Sequence, residues 1–163
     1  MGNPSVDEDA FDYVGELLDQ ALDLTARFLT DRADLSASAA FVLNRVCREG
    51  PIRLTTLAAK EAVSQPSMTQ LIQRLERLNL VTRLPDPDDG RAALIGITAH
   101  GQTLLDERKR VRRARLAALM TTLTPDESCA LQVSARVAHP VLCRLVANAD
   151  CSPDSVAQRE VFG

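Results

Sequence analysis

Ser64-Gln65-Pro66-Ser67-Met68-Thr69-Gln70-Leu71-Ile72-Gln73-Arg74-Leu75-Glu76-Arg77-Leu78-Asn79 decides the fold of this chain. Ser64 can cap a helix, and Pro66 sits in the first turn, where its missing N–H costs nothing. Met68, Leu71, Ile72, Leu75 and Leu78 recur at helical spacing, so 65–78 is expected to be an amphipathic helix. Asn79 tolerates the left-handed conformation that ends such a helix. At about 100° per residue the opposite face carries Pro66, Thr69, Gln70, Gln73 and Arg77, with Arg74 beside it and Glu76 at one edge.

Downstream, 81–84 reads as a strand and Pro85-Asp86-Pro87-Asp88-Asp89-Gly90 as a turn-rich loop. Residues 92–97 read as the returning strand of a hairpin. Thr98 caps a long helix, 99–123, and Thr124-Pro125-Asp126-Glu127 is a capping box with Pro at the first helical position. The last helix reaches about 149, with Pro140 expected to kink it. Upstream, Ile52-Arg53-Leu54 is too short for a strand by itself, and Thr55 is expected to cap a short helix over 56–61. Ser36 caps a helix that Gly50-Pro51 ends, and 7–31 is an amphipathic helix with a wide apolar stripe.

Two short helices followed by a two-stranded wing make a winged helix-turn-helix. The expected class is therefore mainly α, an α+β winged helix with helical extensions at both ends. Four segments are expected: an N-terminal dimerisation helix over 1–34, the winged unit over 35–98, long C-terminal dimerisation helices over 99–150, and a flexible tail over 151–163.

Composition narrows the function. The 163 residues are 45% hydrophobic and 3% aromatic, with no Trp. Few rings argue against a surface for single-stranded RNA, which needs stacking platforms. The net charge of -3 is mildly unfavourable for a DNA-binding chain. Its distribution is uneven, however: acidic residues crowd the N-terminus, and arginines the middle and 108–115. A local positive surface still meets phosphates. The four cysteines form no C-x-x-C pair, and there is no signal peptide or spanning apolar run. The chain is expected in the cytoplasm, with reduced thiols and no membrane contact. No nucleophile–base pair, glycine-rich phosphate loop or metal motif is visible, so an enzyme is not expected.

The outer face of 65–78 suits the major groove of DNA. Glutamine pairs with adenine and arginine with guanine through two hydrogen bonds each, while Ser and Thr reach phosphates. An ordinary solvated helix face would carry the same residue types; the hairpin that follows favours the DNA interpretation. At its tip Asp89 is expected to pair with Arg91 and aim the guanidinium into a minor groove.

Together, Leu57-Ala58, Val63-Ser64-Gln65-Pro66-Ser67-Met68-Thr69, Leu75-Glu76, Leu80-Val81-Thr82-Arg83, Pro85-Asp86-Pro87-Asp88-Asp89-Gly90-Arg91 and Ile97-Thr98-Ala99-His100-Gly101 resemble the multiple-antibiotic-resistance regulator (MarR) family. The resemblance covers roughly 35–105 and implies a triangular homodimer on double-stranded, palindromic operator DNA. It implies transcriptional repression relieved by a small, aromatic or phenolic ligand, with no other cofactor. Ser64, Gln65, Pro66, Ser67, Thr69, Gln70, Gln73, Arg74 and Arg77 match its recognition-helix positions, and Asp89 and Arg91 its wing pair. Ser36, Thr55 and Arg83 join them as candidate DNA contacts. Gln70 and Gly90 stand where the family often has basic residues.

Phe28, Phe41 and Arg45 are the candidate ligand-binding residues, chosen by position alone. Cys47 reads as a small core residue, although Arg45 and Arg48 beside it leave a redox-sensing regulator as an alternative. His139 and Cys143, four apart, lack further metal ligands. The basic run 108–115 is expected to pair with the acidic N-terminal helix across a dimer. A winged-helix protein-interaction module without DNA binding is the remaining alternative.

Overall fold

The computed structural model describes residues 8–29, 35–89 and 92–151. Helix α1 (Glu8–Leu24) runs into a π-helical turn at Thr25–Leu29. Helix α2 (Ala37–Glu49) begins at Ser36, whose Oγ accepts from the Ala39 N–H at 3.3 Å. It ends at Gly50, where φ is +79° and the N–H donates to the Val46 carbonyl. Strand β1 (Ile52–Arg53), α3 (Leu54–Lys60), α4 (Gln65–Arg77), β2 (Val81–Pro85) and β3 (Ala93–Ile97) complete the winged unit. Helices α5 (Ala99–Met120) and α6 (Pro125–Cys151) follow. The fold is mainly helical with one small antiparallel sheet of order β1-β3-β2, Ile52 facing Ile95 and Val81 facing Ile97.

The core sits between α2, α3, α4, the sheet and the start of α5. Leu43, Val46, Leu57, Met68, Ile72, Leu75 and Ile95 have no exposed surface. Each such side chain contributes about 1.5–3 kcal/mol by leaving water. The stripe inferred for α4 supplies Met68, Ile72 and Leu75, so the glutamines and arginines of that helix must face out. Leu78, expected on the same stripe, is 44% exposed, because the helix stops at Arg77 and the chain turns through Asn79 at φ +55°.

Three local expectations need correction. The stub at Ile52 is a third strand, made possible by β3 lying beside it. The chain passes from that strand straight into α3, so Thr55 lies inside the helix and Arg53 takes the cap position without a side-chain bond. Helix α5 ends three residues early, where the Thr121 and Thr122 hydroxyls donate to the Ala118 and Leu119 carbonyls. The capping box at Thr124 is formed: the Thr124 N–H and hydroxyl both donate to Glu127 at 2.8 Å. The expected tail lies outside the described residues except for Cys151. No helix among the described residues is long and apolar enough to cross a membrane.

Thr98 and Gly101 lock the wing onto α5. The Thr98 N–H donates to the Leu80 carbonyl at 3.1 Å, its hydroxyl donates to the Asn79 carbonyl at 2.6 Å, and its Oγ1 accepts from the Gly101 N–H at 2.9 Å. A Cβ at residue 101 would lie 2.2 Å from the Leu80 carbonyl oxygen. Backbone cannot move aside as a flexible side chain would. Gly101→Ala should therefore cost about 1–3 kcal/mol, the usual range for overpacking, seen as a lowered urea midpoint. An unchanged midpoint would show that the α4–β2 corner yields.

Candidate nucleic-acid interface

Helix α4 projects from the short turn after α3. That turn is tight: Ala62 sits at φ +51°, and the Val63 N–H donates to the Ala58 carbonyl at 3.1 Å. Alanine is uncommon there, since a Cβ makes the left-handed region costly. Ser64 then caps α4, its Oγ accepting from the Ser67 N–H at 3.3 Å and sharing a 2.9 Å hydrogen bond with Ser67 Oγ. Gln65, Pro66, Ser67, Gln70, Gln73, Arg74 and Arg77 are exposed and Thr69 half-buried. The Thr69 hydroxyl donates to the Gln65 carbonyl at 2.8 Å, and Arg77 Nε donates to the Gln73 carbonyl at 3.3 Å. The side-chain amides of Gln65, Gln70 and Gln73 and the Arg74 guanidinium have no partner among the described residues. The helix thus presents unengaged amides and cations on one rigid face, and its apolar side fixes the direction of that face.

The remaining candidates are engaged differently. Arg83 donates from Nε to Glu76 Oε1 at 3.0 Å, tying β2 to the end of α4 rather than standing free for DNA. The Asn79 turn brings those two side chains together. Ser36 caps α2, and Thr55 is exposed in the first turn of α3.

The wing rests on a contact that the sequence did not suggest. Asp86 is buried beneath it, accepting from Arg53 Nε at 2.6 Å on β1 and from the Asp88 N–H at 2.9 Å. The Ala92 N–H donates to the Asp89 carbonyl at 2.9 Å, closing the loop. Gly90 and Arg91 lie outside the described residues, and with them the expected Asp89–Arg91 pair. The Arg53 guanidinium, with the Asp88 N–H adding to it, holds the Asp86 carboxyl below its ordinary value of 3.8. A depressed carboxyl supports the folded wing fully above that ordinary value, and the support fades as pH falls through the lower native one. Asp86→Asn should therefore raise amide exchange at Asp88 and Ala92 at neutral pH, while the difference from wild type shrinks in strong acid. Equal exchange at neutral pH would show that Asp86 does not anchor the wing.

The three candidate ligand residues stand in different surroundings. Phe28 is half-exposed with the Arg27 guanidinium 5.2 Å from its ring, and Phe41 is 67% exposed. Arg45 is buried against Glu61, Glu49 and Asp150. Burial opposes its charge, but hydrogen bonds to Glu61 and Glu49 outweigh it and raise its pKa above the ordinary arginine value. A groove of about 430 Å³ lies instead between α2 and α6, lined by residues that include Arg48, His139, Leu142, Cys143 and Val146.

Cys47 is half-buried against the core and donates from Sγ to Gln102 Oε1 at 3.1 Å. Cys143 Sγ lies 3.7 Å from His139 Nε2, and no group of three metal-ligating residues occurs among the described residues. In the basic run, Arg110 pairs with Glu107 at 2.6 Å and Lys109 with Asp106 at 3.5 Å. Those pairs are local, because residues three apart on a helix meet.

Among known proteins, the sequence profile of the MarR family matches residues 35–93. The HTH-type transcriptional regulator MT0903.1 of Mycobacterium tuberculosis is 33% identical over 109 residues, covering 67% of this chain and 76% of that relative. The crystal structure of the transcriptional regulator Tm0710 from Thermotoga maritima superposes with a TM-score of 0.68 at 21% identity, over 86% of this chain and 99% of that one. S. aureus MepR, solved with ethidium bromide bound, superposes at 0.53 and 18% identity over 81% of this chain and 96% of that one. The first match carries relationship and the two structures carry fold. The family consists of DNA-binding transcriptional regulators rather than enzymes. On this sequence match and this winged architecture, the chain belongs to the MarR family.

Proposed function

We propose that this regulator is a cytoplasmic homodimer that represses transcription by occupying a palindromic operator. Each α4 would enter a major groove, and each wing would bring Arg91 to the neighbouring minor groove. The observation that carries this is the outer face of α4, where the Gln70, Gln73 and Arg74 side chains stand exposed and without partners among the described residues, on a helix whose other face is locked in the core. Gln73 would read adenine and Arg74 or Arg77 guanine, while Ser64, Gln65, Ser67 and Thr69 meet phosphates near the helix start. The positive end of the α4 dipole would add to that phosphate contact. A dimer covering two half-sites would exclude other proteins from the same DNA.

A small effector that favours a different spacing of the two α4 helices would release the operator. MepR with ethidium is one relative with a small ligand, and its fold likeness supports this part of the proposal. No residue is assigned to the ligand, since Arg45 is already engaged.

The test is titration of duplexes selected by the wild-type chain from a randomised pool, at several salt concentrations. Gln73→Ala should relax the preference at one base position in each half-site by about 1–3 kcal/mol while leaving the salt slope unchanged. Arg91→Ala should weaken all sequences alike and flatten the slope by about one unit per protomer if it meets phosphate. Base preferences that survive Gln73→Ala, Gln70→Ala and Arg74→Ala together would remove α4 as the reading element.

A further inference from the structure

Arg45 lies on α2 with 8% of its surface exposed, and its guanidinium reaches three carboxylates, on α2, on α6 and just past α3. Nε donates to Glu61 Oε1 just past the end of α3, and Nη1 donates to Glu49 Oε1 on α2 at 2.8 Å. Nη1 and Nη2 both reach Asp150 Oδ1 at 3.3 Å, near the end of α6. Lys60 adds a second cation, 2.6 Å from Glu49 Oε2. Glu61 is the residue immediately before Ala62, whose positive φ shapes the turn into α4. One planar group therefore holds the tip of α6 and the turn that aims α4.

Between α2 and α6 runs the groove of about 430 Å³, so Asp150 closes the far end of an open cleft rather than a packed seam. On a helix, His139, Cys143, Val146 and Asp150 share the side toward α2, while Val137, Val141 and Leu145 lie well round from it. The second, apolar side is exposed at all three positions.

We propose that the Arg45 cluster is a positioning device for DNA recognition: it couples the tip of α6 to the α3–α4 turn and so fixes the distance between the two α4 helices of a dimer. This rests on the dimer and α4 assignments above. Asp150, Arg45 and Glu61 meet no DNA, and their effect passes through α4. The geometry makes the coupling sensitive. Helix α6 has 27 residues, about 40 Å of length, so a rotation of about 5° displaces its end by about 3.5 Å, close to the rise of one base pair. A guanidinium with fixed donor directions resists such a rotation better than apolar contact does, because its hydrogen bonds are directional.

The experiment uses the full chain and the duplexes selected by wild type, with the spacer between half-sites kept, lengthened or shortened by one base pair. Wild type should favour the selected spacing about tenfold, since simultaneous engagement depends on geometry. Asp150→Asn should bring the three spacings within about twofold, with dimer mass and affinity for an isolated half-site unchanged. Asp150→Glu should restore the preference. An Asp150→Asn protein with wild-type spacing preference overturns the proposal, as does one that weakens equally at all spacings. A wild-type chain that selects no paired half-sites overturns the proposed function itself, and this coupling with it.

Discussion

Replacing Val137 and Leu145 together with glutamate should leave the chain monomeric and lower its operator affinity by about a hundredfold or more. The two residues sit on α6 with 68% and 55% of their surface exposed, and Val141 lies between them on the same side. Helix α1 shows a second row of exposed apolar residues, Val14, Leu17, Leu18 and Leu22. Isolated chains rarely leave such rows in water, and burying each side chain against another copy would yield about 1.5–3 kcal/mol. A closed pair related by a two-fold axis buries the same surface on both copies, so each substitution acts twice. Carboxylates placed there remain hydrated only if the copies stay apart. Loss of the dimer removes the second half-site from reach, and with it the effective-concentration gain of about two orders of magnitude or more. Sedimentation velocity and DNA titration would read both effects, and circular dichroism would check that the winged unit still folds. A double variant that sediments as a dimer with wild-type affinity would place the interface elsewhere.

Arg45→Ala should destabilise the fold by about 3 kcal/mol, the low end of what breaking a buried ion pair costs. The arginine side chain is 9% exposed, and its removal would leave Glu49, Glu61 and Asp150 facing one another. These carboxylates keep 18–28% of their surface in water, which moderates the repulsion. Lys60 still neutralises part of Glu49 at 2.6 Å. Most of the loss comes from like charges left near each other and from the cavity of a large side chain, so a chemical-denaturation midpoint should fall clearly. Arg45→Met with Glu61→Gln and Asp150→Asn should recover most of it, because a cluster replaced as a whole can be close to neutral. If Arg45→Ala unfolds at the wild-type midpoint, the cluster carries no net stability.

Much of this was legible in the chain because local rules and global fold agreed. Ser36, Ser64, Thr98 and Thr124 all mark helix starts, and each hydroxyl makes the expected backbone bond. Asn79 and Gly50 both take positive φ where the sequence placed helix ends. The stripe on α4 has period 3.6 and no competing pattern, so its exposed face follows from the sequence. What failed was contact at long range. Arg53 and Asp86 are 33 positions apart, Arg45 and Asp150 are 105 apart, and no periodicity links members of either pair. Asp86 lay among several carboxylates in one loop, and the buried one could not be told from the rest. Position on α2 alone marks Arg45 as a candidate ligand contact, whereas its bonds to Asp150 depend on α6 folding back across the chain. Ala62 gave no signal because alanine is an unusual choice for a positive φ.

Under the proposed function, two α4 helices, held in fixed register by one symmetric pair of chains, read the operator. Hydroxyl-radical footprinting of the wild-type protein on a selected duplex tests it most directly. Two protected patches on the same face of the DNA, centred about one helical turn apart and related by a two-fold axis, are the expected result. Protection of a single patch, or of no patch beyond that on unrelated DNA, would contradict it.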